Sequence, residues 1–291
     1  MLLSMTGFGR AVKIFESKKI TFEVKSLNSK QADILFKFPT YYKEKEIDMR
    51  NILINSIIRG KVDAQLIIED TSGKGKTKIN TNLLESYYRQ LKETAEQLGI
   101  PEPKDWIAVL TAIPDVLVGE TTPVDENEWI MVAQIIEEAL LELKKFRIRE
   151  GEVLGNLFRK KIEKIDSFLT QIPQYEDERL EKIKSRMTEN FTFIENKYAF
   201  DKNRFEQELI FYIEKLDISE EKLRLKTHLD YFLQTIDEEE SQGKKLGFIA
   251  QEIGREINTL GSKSNHSEMQ KIVVMMKDEL EQIKEQILNV L

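Results

Sequence analysis

Cysteine is missing altogether from these 291 residues, and histidine occurs only twice. Without cysteine there can be no disulfide, no thiolate zinc site and no cysteine nucleophile. Long apolar runs are missing too: nothing approaches the roughly 18 consecutive apolar residues that a membrane span needs. The opening Met1–Arg10 has neither the basic start nor the apolar core of a secretory signal. No internal repeat or low-complexity tract is evident. These absences lead us to expect a cytoplasmic globular protein with no membrane partner, long enough for two domains of common size.

Charge is plentiful but unevenly placed. Residues 1–62 hold twelve Lys/Arg against six Asp/Glu, so this stretch carries +6 of a chain whose net charge is −7. A basic face of this kind suits phosphate, while an acidic remainder suits packing or cations.

The periodicity changes along the chain. From Ser4 to about Asp70 the pattern is strand-like, with alternating apolar and polar residues in Lys19–Val24 and Val62–Ile68. Glu44–Ile58 between them reads as a helix. Residues 71–76 (Thr-Ser-Gly-Lys-Gly-Lys) read as a turn-rich connection. Leu84, Tyr88, Leu91, Ala95 and Leu98 then share one face of an amphipathic helix closed by Gly99. The proline-containing stretch 101–123 forms the junction between halves. Beyond it, helices are expected over 126–171 (one, or two meeting near Gly151), 175–189, 202–216, 219–237, 244–258 and 267–291. The expected class is α+β: an N-terminal mixed strand and helix domain, 1–123, and a long-helix, mostly α C-terminal domain, 124–291. Continuous apolar stripes on long charged helices point to an oligomer.

Two helices carry polar groups beside their apolar stripes. In the run 243–264, wound as a helix, the stripe is Leu246, Ile249, Ile253, Ile257 and Leu260, and Glu252, Arg255 and Glu256 border it. In 219–237, Leu225, Leu229, Phe232, Leu233 and Ile236 form the apolar side, with Glu221, Arg224 and His228 on one flank. Half-desolvated carboxylates and imidazoles at such borders suit metal ligation or acid–base work, and Arg suits phosphate. They equally suit an ordinary salt-bridged flank. Should the two helices pack side by side, these groups would converge on one pocket. Gly247 and Gly254 share a face and permit close helix approach, while Gly261 suits a left-handed helix end just before Ser262 and Lys263. In the N-terminal half, Arg10 beside Phe8, Lys25 and Asn28 with Lys30 at a strand end, and Arg59 with Lys61 look like a phosphate-binding surface with stacking capacity.

These residues resemble the YicC/YloC-type bacterial endoribonucleases along essentially the whole chain. The resemblance rests on Ser4–Arg10, Glu23–Asn28 and Arg59–Val62 at the start and on Arg149-Glu150-Gly151, Gln207-Glu208 and Asp217 with Glu220-Glu221 in the middle. It continues through Arg224, His228, Gln251-Glu252, Arg255-Glu256, Asn258-Thr259, Ser262-Lys263, Glu285-Gln286 and Asn289. Gly247 stands where an Asp is common in the family, and Lys30 where Arg is frequent. The resemblance implies a cytoplasmic homo-oligomer, a hexamer, that cuts single-stranded or small structured RNA internally with a divalent cation and is linked to other RNA-decay ribonucleases.

On that footing each residue acquires an expected role. Glu221, Glu252 and Glu256 would bind the metal, Mn²⁺ or Mg²⁺, with Glu208 in reserve. His228 would be the general acid or base, and Arg224, Arg255 and Lys263 would hold scissile phosphates. Arg10, Lys25, Asn28, Lys30, Arg59 and Lys61 would guide RNA in. A metal-free route in which His228 assists ribose 2′-hydroxyl attack is the chemical alternative. The functional alternative is a non-catalytic RNA-binding adaptor delivering transcripts to another ribonuclease.

Overall fold

The computed structural model describes residues 2–29, 33–57, 59–71, 77–114, 116–119, 124–195, 202–238, 240 and 242–291. Lys30, the 72–76 connection and the side chain of Glu208 lie outside the described residues, as do the side chains of 77–78, 117–119, 190–195, 202–205 and 209.

The N-terminal part is a four-stranded sheet of β1 (Gly7–Phe15), β2 (Lys18–Leu27), β3 (Asp33–Lys37) and β4 (Lys61–Asp70), in spatial order β1-β2-β4-β3. β1–β2 and β2–β4 pair antiparallel, and β3 runs parallel to β4. The alternation expected of β2 is realised: Ile20, Phe22 and Val24 are buried, while Lys25 and Leu27 face solvent. The helix expected at 44–58 begins as a 3₁₀ turn, Thr40–Lys45, and continues as α1 (Glu46–Ser56). α2 (Thr81–Leu98) ends on Gly99 at φ +65°, the left-handed cap that its sequence announced. The junction holds more order than its prolines suggest: α3 (Trp106–Thr111) and a two-stranded pairing of β5 (Thr77–Ile79) with β6 (Leu117–Gly119).

α4 is one unbroken helix, Glu126–Leu169, of 44 residues. At 1.5 Å per residue it spans about 66 Å. Its first half buries Val132, Ile135, Ile136, Ala139 and Leu143 against the sheet and α1; its second half buries Phe158, Ile162, Ile165 and Leu169 among the C-terminal helices. One helix thus serves two hydrophobic cores and fixes their relative position. Gly151 does not break it. A Cβ there would meet Leu2 O at 2.0 Å, so the glycine admits the N-terminal segment across the helix. Gly9 does the same for β1, where a Cβ would lie 2.0 Å from Ala139 O.

A 3₁₀ turn at Pro173–Tyr175 leads into α5 (Glu176–Glu195), followed by α6 (Lys202–Lys215), α7 (Ser219–Ile236), α8 (Gly243–Lys263) and α9 (Ser267–Ile287). The expected stripes of α7 and α8 form the heart of this second core, packed on α4 and α9. α8 corrects its expected end: the helix runs through residues 259–261 to Lys263. Gly261 is helical and buried against Val273, whose Cγ1 would lie 2.9 Å from an added Cβ. Small size against α9, not a left-handed φ, is the reason for a glycine there. Gly254 packs against Leu280 and Lys284 of α9. No described helix is long and apolar enough to cross a membrane.

The termini close the structure. Ser4 bridges Val290, Met5 N donates to Asn289 O at 2.8 Å, and Leu291 N donates to Leu3 O at 2.9 Å.

Candidate functional site on the α7–α8 hairpin

α7 and α8 pack as neighbours, and one contact fixes their antiparallel register. Lys263, in the last turn of α8, donates to Glu221 Oε1 at 2.8 Å and to Asp217 O at 2.9 Å. Glu221 lies in the first turn of α7 and is buried, and its Oε2 has no hydrogen-bond partner. Asp217 helps to start α7 by accepting from Ser219 N at 3.1 Å and Ser219 Oγ at 2.8 Å. Those bonds, with the charge of Lys263, hold its carboxyl below the ordinary aspartate range.

Helical symmetry carries the register onward. Two turns along α7 from Glu221 is His228, and two turns back along α8 from Lys263 is Glu256. By the helical repeat both lie about 10 Å along their axes from the first rung, on the helix faces that carry Glu221 and Lys263. Glu256 is buried and His228 half-buried, and neither makes a hydrogen bond within the described residues. The seam thus carries two rungs: an engaged Lys–Glu pair and an imidazole with a carboxylate at its level. Arg224 lies between them on the α7 flank, exposed and paired with Glu220; Glu252 and Arg255 form an exposed pair at 3.8 Å on α8.

The three carboxylates expected to share a metal are strung out along the hairpin. Glu252 sits about 16 Å along the α8 axis from Lys263, and hence from Glu221. Ligand oxygens of one ion lie within about 2.0–2.6 Å of it. Among the described residues no group of three His, Asp or Glu side chains is placed to hold a metal ion. Among the described residues the expected donors therefore do not fit a single cation.

Sequence reasoning missed the groups that close the hairpin's end. Arg179 of α5 is buried and donates to Leu216 O, with its Nε unpartnered. Burial pushes its guanidinium pKa down, against the opposing pull of Glu176 and Asp217. His266, just before α9, is buried against the Tyr175 ring at 5.4 Å, with both ring nitrogens unpartnered and Nε2 3.6 Å from Glu178 Oε2. Neither has a signal in its local sequence, because α5 and the α8–α9 link meet only through the tertiary fold.

The basic residues of the N-terminal half divide by environment. Arg10 and Lys25 lie on the solvent face of the sheet: Arg10 pairs with Glu23 at 3.3 Å, and the Lys25 ammonium sits 5.8 Å from the Phe8 ring centroid. Lys61 is exposed at the start of β4. Asn28 and Arg59 are engaged elsewhere, donating to Leu288 O at 2.7 Å and Val290 O at 2.8 Å.

Comparison with known proteins covers almost the entire chain. Residues 2–156 match the family described as "Endoribonuclease YicC-like, N-terminal region", and residues 172–291 match "Endoribonuclease YicC-like, C-terminal". A protein of Clostridioides difficile (strain 630) named "Probable endoribonuclease YicC" is 34% identical, with 100% of each chain covered. A protein of the same name from Haemophilus influenzae is 27% identical, with 99% of each covered.

Proposed function

The chain belongs to the YicC-like endoribonuclease family, and from that premise we propose that it cleaves RNA internally at the α7–α8 seam. The observation that carries the reading is the Lys263–Glu221 contact at 2.8 Å, because its register brings His228 level with Glu256. In this reading His228 moves the proton, either taking it from the attacking hydroxyl or giving it to the departing 5′-oxygen. Glu256, buried at the same level on α8, supplies negative charge to the site. Arg224 and the exposed part of Lys263 hold the phosphate, and Arg255 lies one flank away. Arg10, Lys25 and Lys61 lead the strand in along the sheet, where the Phe8 ring offers a stacking face.

We infer a homo-oligomer, the hexamer that the sequence resemblance implies, acting in RNA decay with other ribonucleases. A divalent cation in this enzyme takes donors from the RNA, from water or from a second subunit, since the described residues of one chain do not group three of them.

The test is incubation of the purified protein with a short labelled RNA, with and without chelator, followed by mapping of product ends. Internal cuts that His228→Ala slows by roughly 10²-fold or more, with RNA affinity kept, are the expected result. Cyclic-phosphate ends assign 2′-hydroxyl attack; 5′-phosphate ends assign hydrolysis. Tight RNA binding with no cleavage under any metal would replace the nuclease by the adaptor.

A further inference from the structure

Arg147 is a buried cation with no ion-pair partner among the described residues. It lies on α4 at 5% exposure, wedged beneath β1, where an added Cβ on Gly7 would lie 3.1 Å from its Cγ. Its Nη2 donates to Ser26 Oγ at 2.6 Å and reaches Met5 O at 3.5 Å, both uncharged acceptors. Among the described residues Nε has no hydrogen-bond partner, and both acceptors of Nη2 are uncharged oxygens. Burial alone pushes its pKa down, with no opposing pull from an acid. A buried charge of this kind is costly unless something anionic meets it.

What lies beside Arg147 is a cleft of about 400 Å³ between α4, the end of α1 and the chain termini. One turn back along α4, Lys144 lines the same cleft, exposed and with no ion-pair partner among the described residues. Leu3, Leu140 and Leu141 supply apolar wall, and Asn55 supplies an amide at the α1 end. Glu137 lines it about 10 Å along the helix from Lys144. Two cations, apolar walls, an amide and a carboxylate are together the chemistry that a phosphate, a base and a ribose call for. The volume is in the range of small-molecule sites, which begin at about 300 Å³.

We propose that this cleft is a nucleotide-binding subsite, taking one phosphorylated nucleotide unit with its phosphate on Arg147 and Lys144. It lies away from the α7–α8 seam, so it grips and does not cut. The strand-bound form of the proposal rests on the RNA reading above; the free-nucleotide form does not. Glu137 accepts from a ribose hydroxyl and keeps inorganic polyanions out by repulsion.

The test uses the full-length protein and binding, not cleavage. Affinities for a short labelled RNA and for uridine monophosphate are measured at low and high salt in the parent, in Lys144→Gln and in Lys144→Glu. Lys144 is exposed and unpaired, so both variants fold; Arg147→Lys, checked by circular dichroism, serves as the second probe. A Lys144-dependent loss of several-fold in affinity is expected, larger for Glu than for Gln. For RNA, the salt dependence becomes shallower by about 0.7 in log–log slope, the share of one phosphate contact on a single strand. If only the RNA responds, the unit belongs to a strand; if only the mononucleotide responds, the cleft takes a free nucleotide. Unchanged affinity for both ligands in both Lys144 variants overturns the subsite, and it does so even if the parent still cuts RNA. Absence of cleavage in the parent alongside Lys144-dependent binding instead takes down the nuclease reading and leaves the subsite standing.

Discussion

Glu221 gives one carboxylate oxygen to Lys263 at 2.8 Å and keeps the other buried with no hydrogen-bond partner among the described residues. Half of this carboxylate is therefore held at a desolvation cost that nothing in the described chain offsets. Its place at the open end of the hairpin makes that cost comprehensible as a fixed support for Lys263, whose side chain is 29% exposed and available to a phosphate.

Stability should respond asymmetrically to the two halves of this pair. Lys263→Met strands a buried carboxylate and is expected to cost about 2–3 kcal/mol. Glu221→Gln keeps an acceptor for the lysine, whose ammonium also retains Asp217 O and some solvent, and should cost less than half as much. Urea denaturation of the two variants compares them directly, and equal losses would show that the pair is not where the register is held.

Catalysis should separate the two rungs. Glu256→Gln keeps the size and burial of the side chain but removes the negative charge proposed to serve the His228 site. Cleavage should fall by roughly 10-fold to 10²-fold, less than for His228→Ala, while RNA affinity stays within about two-fold. Glu252→Gln, on an exposed pair, should leave single-turnover cleavage near the parental rate. The reverse ranking in a cleavage time course would move the reacting centre to the outer flank of α8.

How much of this was legible beforehand follows from periodicity. The stripes Leu225–Ile236 and Leu246–Leu260 are realised residue for residue, because burying one face against one partner imposes the 3.6-residue repeat directly. The Glu221–Lys263 contact was not among the expected convergences, because Lys263 was read as lying beyond the end of its helix. Gly261 misled, since a glycine needed for close packing and one needed for a left-handed turn look alike in sequence. β3 and the β5–β6 pair, short and dependent on distant partners, left little local pattern. Arg147 gave no warning, as its meaning depends on the sheet lying over it and the cleft beside it.

Close approach at glycine makes a third prediction. Gly9→Ala places a Cβ against the backbone of α4, at 2.0 Å from Ala139 O and 2.8 Å from Leu143 N, where neither neighbour is a flexible side chain. The sheet must lift from the helix, so a loss of about 2–3 kcal/mol or more is expected, at the upper end for overpacking. Gly99→Ala, with nothing within 4 Å, is strained only by its φ of +65° and should cost about 1 kcal/mol. Thermal unfolding of the two variants would rank them, and a neutral Gly9→Ala would contradict the packing of β1 on α4.

The acid limb of stability should be governed in part by Glu279. Its carboxylate is buried between α4 and α9 and receives Lys161 Nζ at 2.9 Å, together with Lys164. Burial pushes its pKa up, but the two lysines outweigh this and hold it below the ordinary glutamate range. A carboxyl whose folded pKa is depressed contributes its full stabilisation above its unfolded value, about 4.3, and loses it as pH falls through the lower folded value. Glu279→Gln should therefore be less stable than the parent at neutral pH. That gap should close steadily as the medium is acidified below about pH 4, where the parental carboxyl takes up its proton and the two proteins become alike. Denaturant melts of both proteins across this range measure the gap. One that stays constant down to the folded value would mean that shape, not charge, makes the α4–α9 contact, with the lysines then serving only to keep the glutamate from being unpaired.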